Sequence, residues 1–229
     1  MALWAISDLH LALTTDKPMS IFGDNWHKHE EKIKENWLSK ISEEDTILIA
    51  GDISWSMNME EGLEDLNWIH NLPGKKILIK GNHDYWWSGI KRLNNLYGDL
   101  NFIQNTSFNY KDYAICGTRG WTLPGGNNFT SHDDKIYKRE CIRLKLSLDD
   151  AVKKGYSKFI VMTHYPPIYE GMEDNEFVKV LKEYGVEYVL YGHLHGPSLK
   201  KVFEEERDGI KYIMTSSDYL NFNPMLIKE

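Results

Sequence analysis

Two cysteines, Cys116 and Cys141, are too few for a disulfide framework, and no CxxC spacing marks a thiolate zinc site. No apolar run approaches the ~20 residues of a membrane span. The start, Met1-Ala2-Leu3-Trp4-Ala5-Ile6, lacks the basic stretch of a signal peptide, so reduced thiols and a cytoplasmic location are expected. An excess of basic charge is also missing. Lysine and arginine number 27 against 34 acidic residues, a net charge of -7, which argues against a general nucleic-acid binder. An enzyme that touches nucleic acid briefly through bound cations stays open. No Pro/Gly/Ser linker, repeat or low-complexity tract divides the 229 residues, so a single domain over 1–229 is expected.

Short apolar runs alternate with amphipathic stretches. Leu3–Ser7, Thr46–Ala50, Lys76–Lys80, Tyr113–Gly117, Phe159–Thr163 and Tyr188–Tyr191 read as buried strands. Helices are predicted over Trp26–Ile41, Met59–Leu72, Ser88–Tyr97, Lys135–Lys154 and Glu173–Tyr184. That alternation predicts α/β layering. Near the end, Lys200–Glu205 and Ile210–Thr215 flank Asp208-Gly209, a hairpin signal that makes the sheet mixed. The stretch 117–134, with Pro124-Gly125-Gly126 and Asn127-Asn128, is a long loop that is either functional or a surface excursion.

Five polar fragments each follow the end of an apolar run: Asp8-Leu9-His10, Gly51-Asp52, Gly81-Asn82-His83-Asp84, His164, and Gly192-His193-Leu194-His195. Side chains leaving a sheet edge can converge on one point. Asp8 and His10, two apart, project to one side of an extended segment, and His193 and His195 repeat that spacing. The mixture of imidazole, carboxylate and one carboxamide suits manganese, iron or zinc. Calcium or magnesium would take more oxygen, and a single zinc ion needs about four ligands, fewer than this set offers.

These fragments resemble the calcineurin-like metallophosphoesterase superfamily, whose pattern runs D-x-H, G-D, G-N-H-[DE], a lone H, then G-H-x-H. All five blocks are present between Asp8 and His195. The resemblance implies a four-layer α/β/β/α sandwich of two mixed β-sheets flanked by helices. It also implies two metal ions, one held by Asp8, His10, Asp52 and His195 and the other by Asp52, Asn82, His164 and His193. A hydroxide bridging two cations roughly 3.5–4 Å apart would attack phosphorus in line. His83 would protonate the leaving oxygen, with Asp84 orienting its ring.

Where many relatives continue G-D-x-x-D, and protein phosphatases G-D-x-x-D-R-G, this chain has Gly51-Asp52-Ile53-Ser54-Trp55. The missing arginine argues against a phosphoprotein phosphatase. Trp55, with Trp86 and Trp87, offers rings that could stack on a nucleotide-like ligand or pack internally. Arg119, just past a strand, is a candidate phosphate anchor. His27 and His29 are expected to face water, His70 to be structural and His132 to cap a helix; Ser216–Asn221 suggests no chemistry. The expected substrate is a small phosphomonoester or phosphodiester. A nuclease of the same superfamily and a non-catalytic interaction module on the same fold are the alternatives, and the oligomeric state is left open.

Overall fold

The computed structural model describes residues 1–126, 128–172 and 174–229; Asn127 and Glu173 of the expectations above lie outside the described residues. The first half of the chain runs β1 (Leu3–Ile6), α1 (His29–Lys40), β2 (Thr46–Ile49), α2 (Met59–His70), β3 (Lys75–Leu78), α3 (Ile90–Leu93) and β4 (Leu100–Phe102). The second half runs β5 (Phe108–Tyr110), β6 (Tyr113–Thr118), α4 (Ser131–Lys153), β7 (Phe159–Thr163), α5 (Glu176–Glu183), β8 (Tyr188–Tyr191), β9 (Glu206–Arg207), β10 (Ile210–Met214) and β11 (Met225–Lys228). No helix among the described residues is long and apolar enough to cross a membrane.

Two mixed sheets result. One has the order β11-β1-β2-β3-β4 and the other β5-β6-β7-β8-β10-β9. The pairs β1–β2, β2–β3 and β3–β4 are parallel, as are β6–β7, β7–β8 and β8–β10, and the antiparallel strands lie at the edges. Alternation along each strand explains the layers. Ile47 and Ile49 pack under α1 and α2 with Trp37 and Leu66, whereas Leu48 and Ala50 face the other sheet. Facing them across the sandwich are Ile160, Met162 and Leu190, while Val161 and Val189 turn outward to α4 and α5. With a period of two, one run of apolar residues covers both faces. Each such side chain stabilises the fold by about 1.5–3 kcal/mol when fully buried.

Several helix and hairpin expectations need correction. Ser88–Tyr97 shortens to the single turn of α3, because the Asn94 side chain leaves the helix to bond both Phe102 N–H and Phe102 C=O on β4. The first arm of the final hairpin is only β9, and residues 196–201 form a 3₁₀ turn instead. Phe203 is diverted from strand pairing by a reciprocal pair of bonds with the Tyr191 hydroxyl. The Asp208-Gly209 turn is present, with both residues at positive φ as a tight hairpin requires. His29 is buried, not solvent-facing, with Nε2 3.0 Å from the Leu9 carbonyl. Helix α4 is capped by Thr130 and Asp133, not by His132.

A candidate metal centre at the strand ends

The parallel strands bring the carboxyl ends of β1, β2 and β3 together in one sheet, and those of β7 and β8 in the other. Ser7 joins the two sheets at this edge. Its N–H donates to Thr215 O at 2.7 Å, and its C=O accepts from Ser217 N at 3.0 Å. All five polar fragments leave strands here, so they meet.

Meeting requires unusual backbone. Asp8, His10, Asp52 and His193 all have φ between 46 and 72°. L residues held in this left-handed region cost about 1–3 kcal/mol each and persist where surrounding bonds over-determine them. Asp8 N donates to Gly51 O, His10 N to Asp52 O, and His193 N to the Asp8 carboxylate. Two glycines make the space. A Cβ at Gly81 would collide with the Asp52 backbone and carboxylate, and one at Gly192 would collide with Asp8 Oδ2 and Ser7 Oγ.

Two clusters of donors form. Asp8, His10 and His195 make one, and Asp52, His164 and His193 the other, with the donor atoms of each within 4.8 Å of one another. Asp52 Oδ2 lies between them, 3.3 Å from His164 Nε2 and 3.8 Å from His10 Nε2. Asn82 Oδ1 joins the second cluster, 2.8 Å from His164 Nε2.

The donor set fits cations. His195 Nδ1 faces the Asp218 carboxylate at 2.8 Å, so Nδ1 carries the proton and Nε2 turns its lone pair on Asp8 Oδ1 at 3.1 Å. His164 Nδ1 likewise faces the Ala50 carbonyl at 3.0 Å. That leaves His164 Nε2 turned on Asn82 Oδ1 and, at 3.3 Å, on His193 Nδ1. With Nδ1 already protonated, each Nε2 contact needs positive charge between its atoms, either a second ring proton or a bound cation.

Protonation tells the same story. Burial would lower the pKa of His164, but Asp52 and Asp8 outweigh it and push the ring up to about 9. Burial likewise opposes, and Asp8 and Asp218 overcome, the rise of His195 to about 10. Protons on these two rings fill the place that the facing acceptors demand for a cation. Burial raises both carboxyls, yet His195 holds Asp8, and His164 holds Asp52, well below the usual carboxylate range. His10 and His193 move the other way: burial lowers them to about 4 and about 3, against the pull of Asp8 and Asp52.

His83 lies at the rim. Its N–H donates to Asp52 Oδ1 at 2.8 Å, and its half-buried ring sits 4.2 Å from Trp55 and 5.9 Å from His10, centroid to centroid. Asp84 does not orient that ring. Its carboxylate accepts from the N–H groups of Ile53, Ser54 and Gly81 and from Trp86 Nε1, so it ties the second and third fragments together. Trp55 stacks on His10 at 4.9 Å. Trp86 is only 2% exposed and Trp87 bonds Gln104, so these two rings serve the core and not a ligand. Arg119 lends its backbone carbonyl to the N–H groups of His164 and Tyr165, while its guanidinium lies over Trp121 and toward Glu140.

Ser216 and Asp218, whose sequence suggests no chemistry, both touch the cluster. Ser216 Oγ donates to Asp8 Oδ2 at 2.9 Å, and Asp218 orients His195. They follow an apolar run, Ile210–Met214, as the other five fragments do; that signal was available.

Two mycobacteriophage proteins are similar in sequence. A Gene 66 protein of Mycobacterium phage L5 is 36% identical over 81 residues, 35% of this chain and 39% of that protein. The Gene 66 protein of Mycobacterium phage D29 is 25% identical over 209 residues, 90% of this chain and 84% of that protein. Among solved structures, phosphopantetheinyl hydrolase from Mycobacterium tuberculosis has a TM-score of 0.60 at 16% identity, covering 99% of this chain and 95% of that one. A Thermus thermophilus protein scores 0.62 at 10% identity, over 99% and 97% of the two chains. A protein of unknown function from Aquifex aeolicus scores 0.51 at 19% identity, over 98% and 95%. These likenesses establish the fold, a sandwich of two mixed sheets with helices outside. Residues 1–197 match the family profile described as calcineurin-like phosphoesterase, and the chain belongs to that family.

Proposed function

We propose that the chain is a dimetal phosphohydrolase acting on a small phosphomonoester or phosphodiester. One ion would be held by Asp8, His10, Asp52 and His195, the other by Asp52, Asn82, His164 and His193, with manganese, iron or zinc matching the donors. The observation that carries this reading is the convergence of two donor clusters, Asp8, His10 and His195 in one and Asp52, His164 and His193 in the other, with Asn82 Oδ1 beside the second. When bound, the two cations supply charge for the phosphoryl oxygens and acidify a water for in-line attack.

The chain's own groups supply the rest. Asp218 and the Ala50 carbonyl hold the Nδ1 protons of His195 and His164, which aims both Nε2 atoms inward. Asp52 spans the two clusters, while Asp84 clamps the loops that carry Asp52 and Asn82. His83 donates a ring N–H proton to the leaving oxygen. Trp55, packed between His10 and His83, sets the position of that ring rather than stacking on a substrate base.

Turnover of p-nitrophenyl phosphate and of bis-p-nitrophenyl phosphate, with manganese present, tests this for wild type and Asp52→Asn. Hydrolysis of either ester by wild type, lost in the variant, is expected, and the better ester names the substrate class. Hydrolysis that survives Asp52→Asn would place the chemistry elsewhere.

A further inference from the structure

A cavity of about 230 Å³ opens beside the third fragment, between the end of β6 and the first half of α4. Lys80, Arg119, Arg139 and Arg143 line it with a single carboxylate, Glu140. Four cations around one anion stand out in a chain whose net charge is -7.

Glu140 is completely buried and its oxygens are fully used. Oε1 accepts from Arg139 Nε and Nη2, each at 3.2 Å, and from Arg143 Nη1 at 3.0 Å; Oε2 accepts from Thr118 Oγ1 at 2.6 Å. Arg119 is left short. Its Nη2 is 3.9 Å from Glu140 Oε1, and its Nε is buried with no acceptor. No ion pair engages Lys80 among the described residues, and it too lines the cavity. A buried donor without an acceptor is costly, and more so when charged. An oxyanion in the cavity would remove that cost, since guanidinium groups match phosphate oxygens in pairs.

We propose that this pocket binds a phosphate group distinct from any held at the candidate metal centre. Glu140 fixes the Arg139 and Arg143 side chains, and Arg119 and Lys80 supply the unfilled donors. The group comes either from a substrate that carries a second phosphate or from free inorganic phosphate. Binding itself does not depend on the proposed hydrolysis; only assignment to a second substrate phosphate rests on that reading.

Calorimetric titration of the metal-loaded protein with inorganic phosphate tests the pocket, using wild type, Arg143→Gln and Arg139→Gln, with folding checked by near-UV circular dichroism. Two phosphates per chain are expected in wild type, with one of them weakened at least about tenfold in each variant. No phosphate bound by wild type, or binding of unchanged affinity in both variants whatever the number bound, overturns the proposal. Arg143→Lys, which keeps charge but loses paired bonding, should weaken the second phosphate by less than Arg143→Gln.

Comparing kcat/KM for a nucleoside 3′,5′-bisphosphate and the 5′-monophosphate separates the two sources. A bisphosphate preference erased by Arg143→Gln assigns the pocket to the substrate. Equal efficiencies, with calorimetric binding still lost in the variant, assign it to free phosphate. Absence of hydrolysis would count against the proposed function while the calorimetry still reads the pocket.

Discussion

The Nδ1–H of His195 donates to Asp218 Oδ1 at 2.8 Å, and the opposite nitrogen of the same ring faces Asp8 Oδ1 at 3.1 Å. A carboxylate behind a histidine fixes its tautomer and raises its basicity, and losing such a partner typically costs about 10–100-fold in metal affinity. Asp218→Ala should therefore bind manganese or zinc that much more weakly in competition with a chelator, while keeping its far-UV circular dichroism. Unchanged affinity would remove Asp218 from the centre.

Removing the His83 ring should separate chemistry from binding. His83→Ala is expected to keep its metal content and lose about 10²–10⁴-fold in kcat with an alkyl ester, where the leaving oxygen needs a proton. With a p-nitrophenyl ester the loss should be much smaller, because that phenolate departs unaided. Equal losses on both esters would mean that His83 acts by holding the loop.

The metal-free protein should be most stable near pH ~6.5, the ordinary imidazole value. His164 and His195 sit above it, at about 9 and about 10. Their contribution is complete below the unfolded value and lost as pH rises through the folded ones. His10 and His193 sit below it, at about 4 and about 3, so the unfolded chain takes protons first and stability falls as pH drops. Asp8 and Asp52, held low, add to the acid loss. Bound cations replace the two protons, so the alkaline loss should vanish in the metal-loaded protein. Urea midpoints across this range, with and without chelator, check both arms; matching alkaline arms would contradict the assignment.

Gly192→Ala adds one carbon where the Asp8 carboxylate and Ser7 hydroxyl already stand. The expected result is a loss of about 1–3 kcal/mol in urea unfolding, together with weaker metal binding. A variant of wild-type stability and metal content would show that the strand ends can separate there.

Much of the architecture was legible because it is local. Leu48 and Ile49, adjacent in sequence, face opposite layers, and that alternation is visible in the chain itself. The five polar fragments were equally plain, since each closes an apolar run. Other pieces escaped: β4 and β5 have three residues each and β9 two, too few for a period to register, and β11 is an edge strand none of whose residues is fully buried. The sequence predicts a longer α3 than forms, because the Asn94 side chain bonds the backbone of β4 and ends the helix.

What the amino-acid sequence determined by itself was the family, the layered class and the residue types gathered at the strand ends, all carried by neighbours within a few positions. Tertiary structure alone decided which groups stand behind them. Ser216 reaches Asp8 across 208 positions and His195 reaches Asp8 across 187, because Ser7 bonds Thr215 and Ser217 and draws the two sheets together at one edge. Asp84, expected at the His83 ring, is spent on three backbone N–H groups and an indole; His29, expected to face water, props the Leu9 carbonyl. Periodicity reports which face of an element a residue occupies. It carries no record of what a distant segment places opposite that face, and hydrogen bonds, which act only at contact, are settled there.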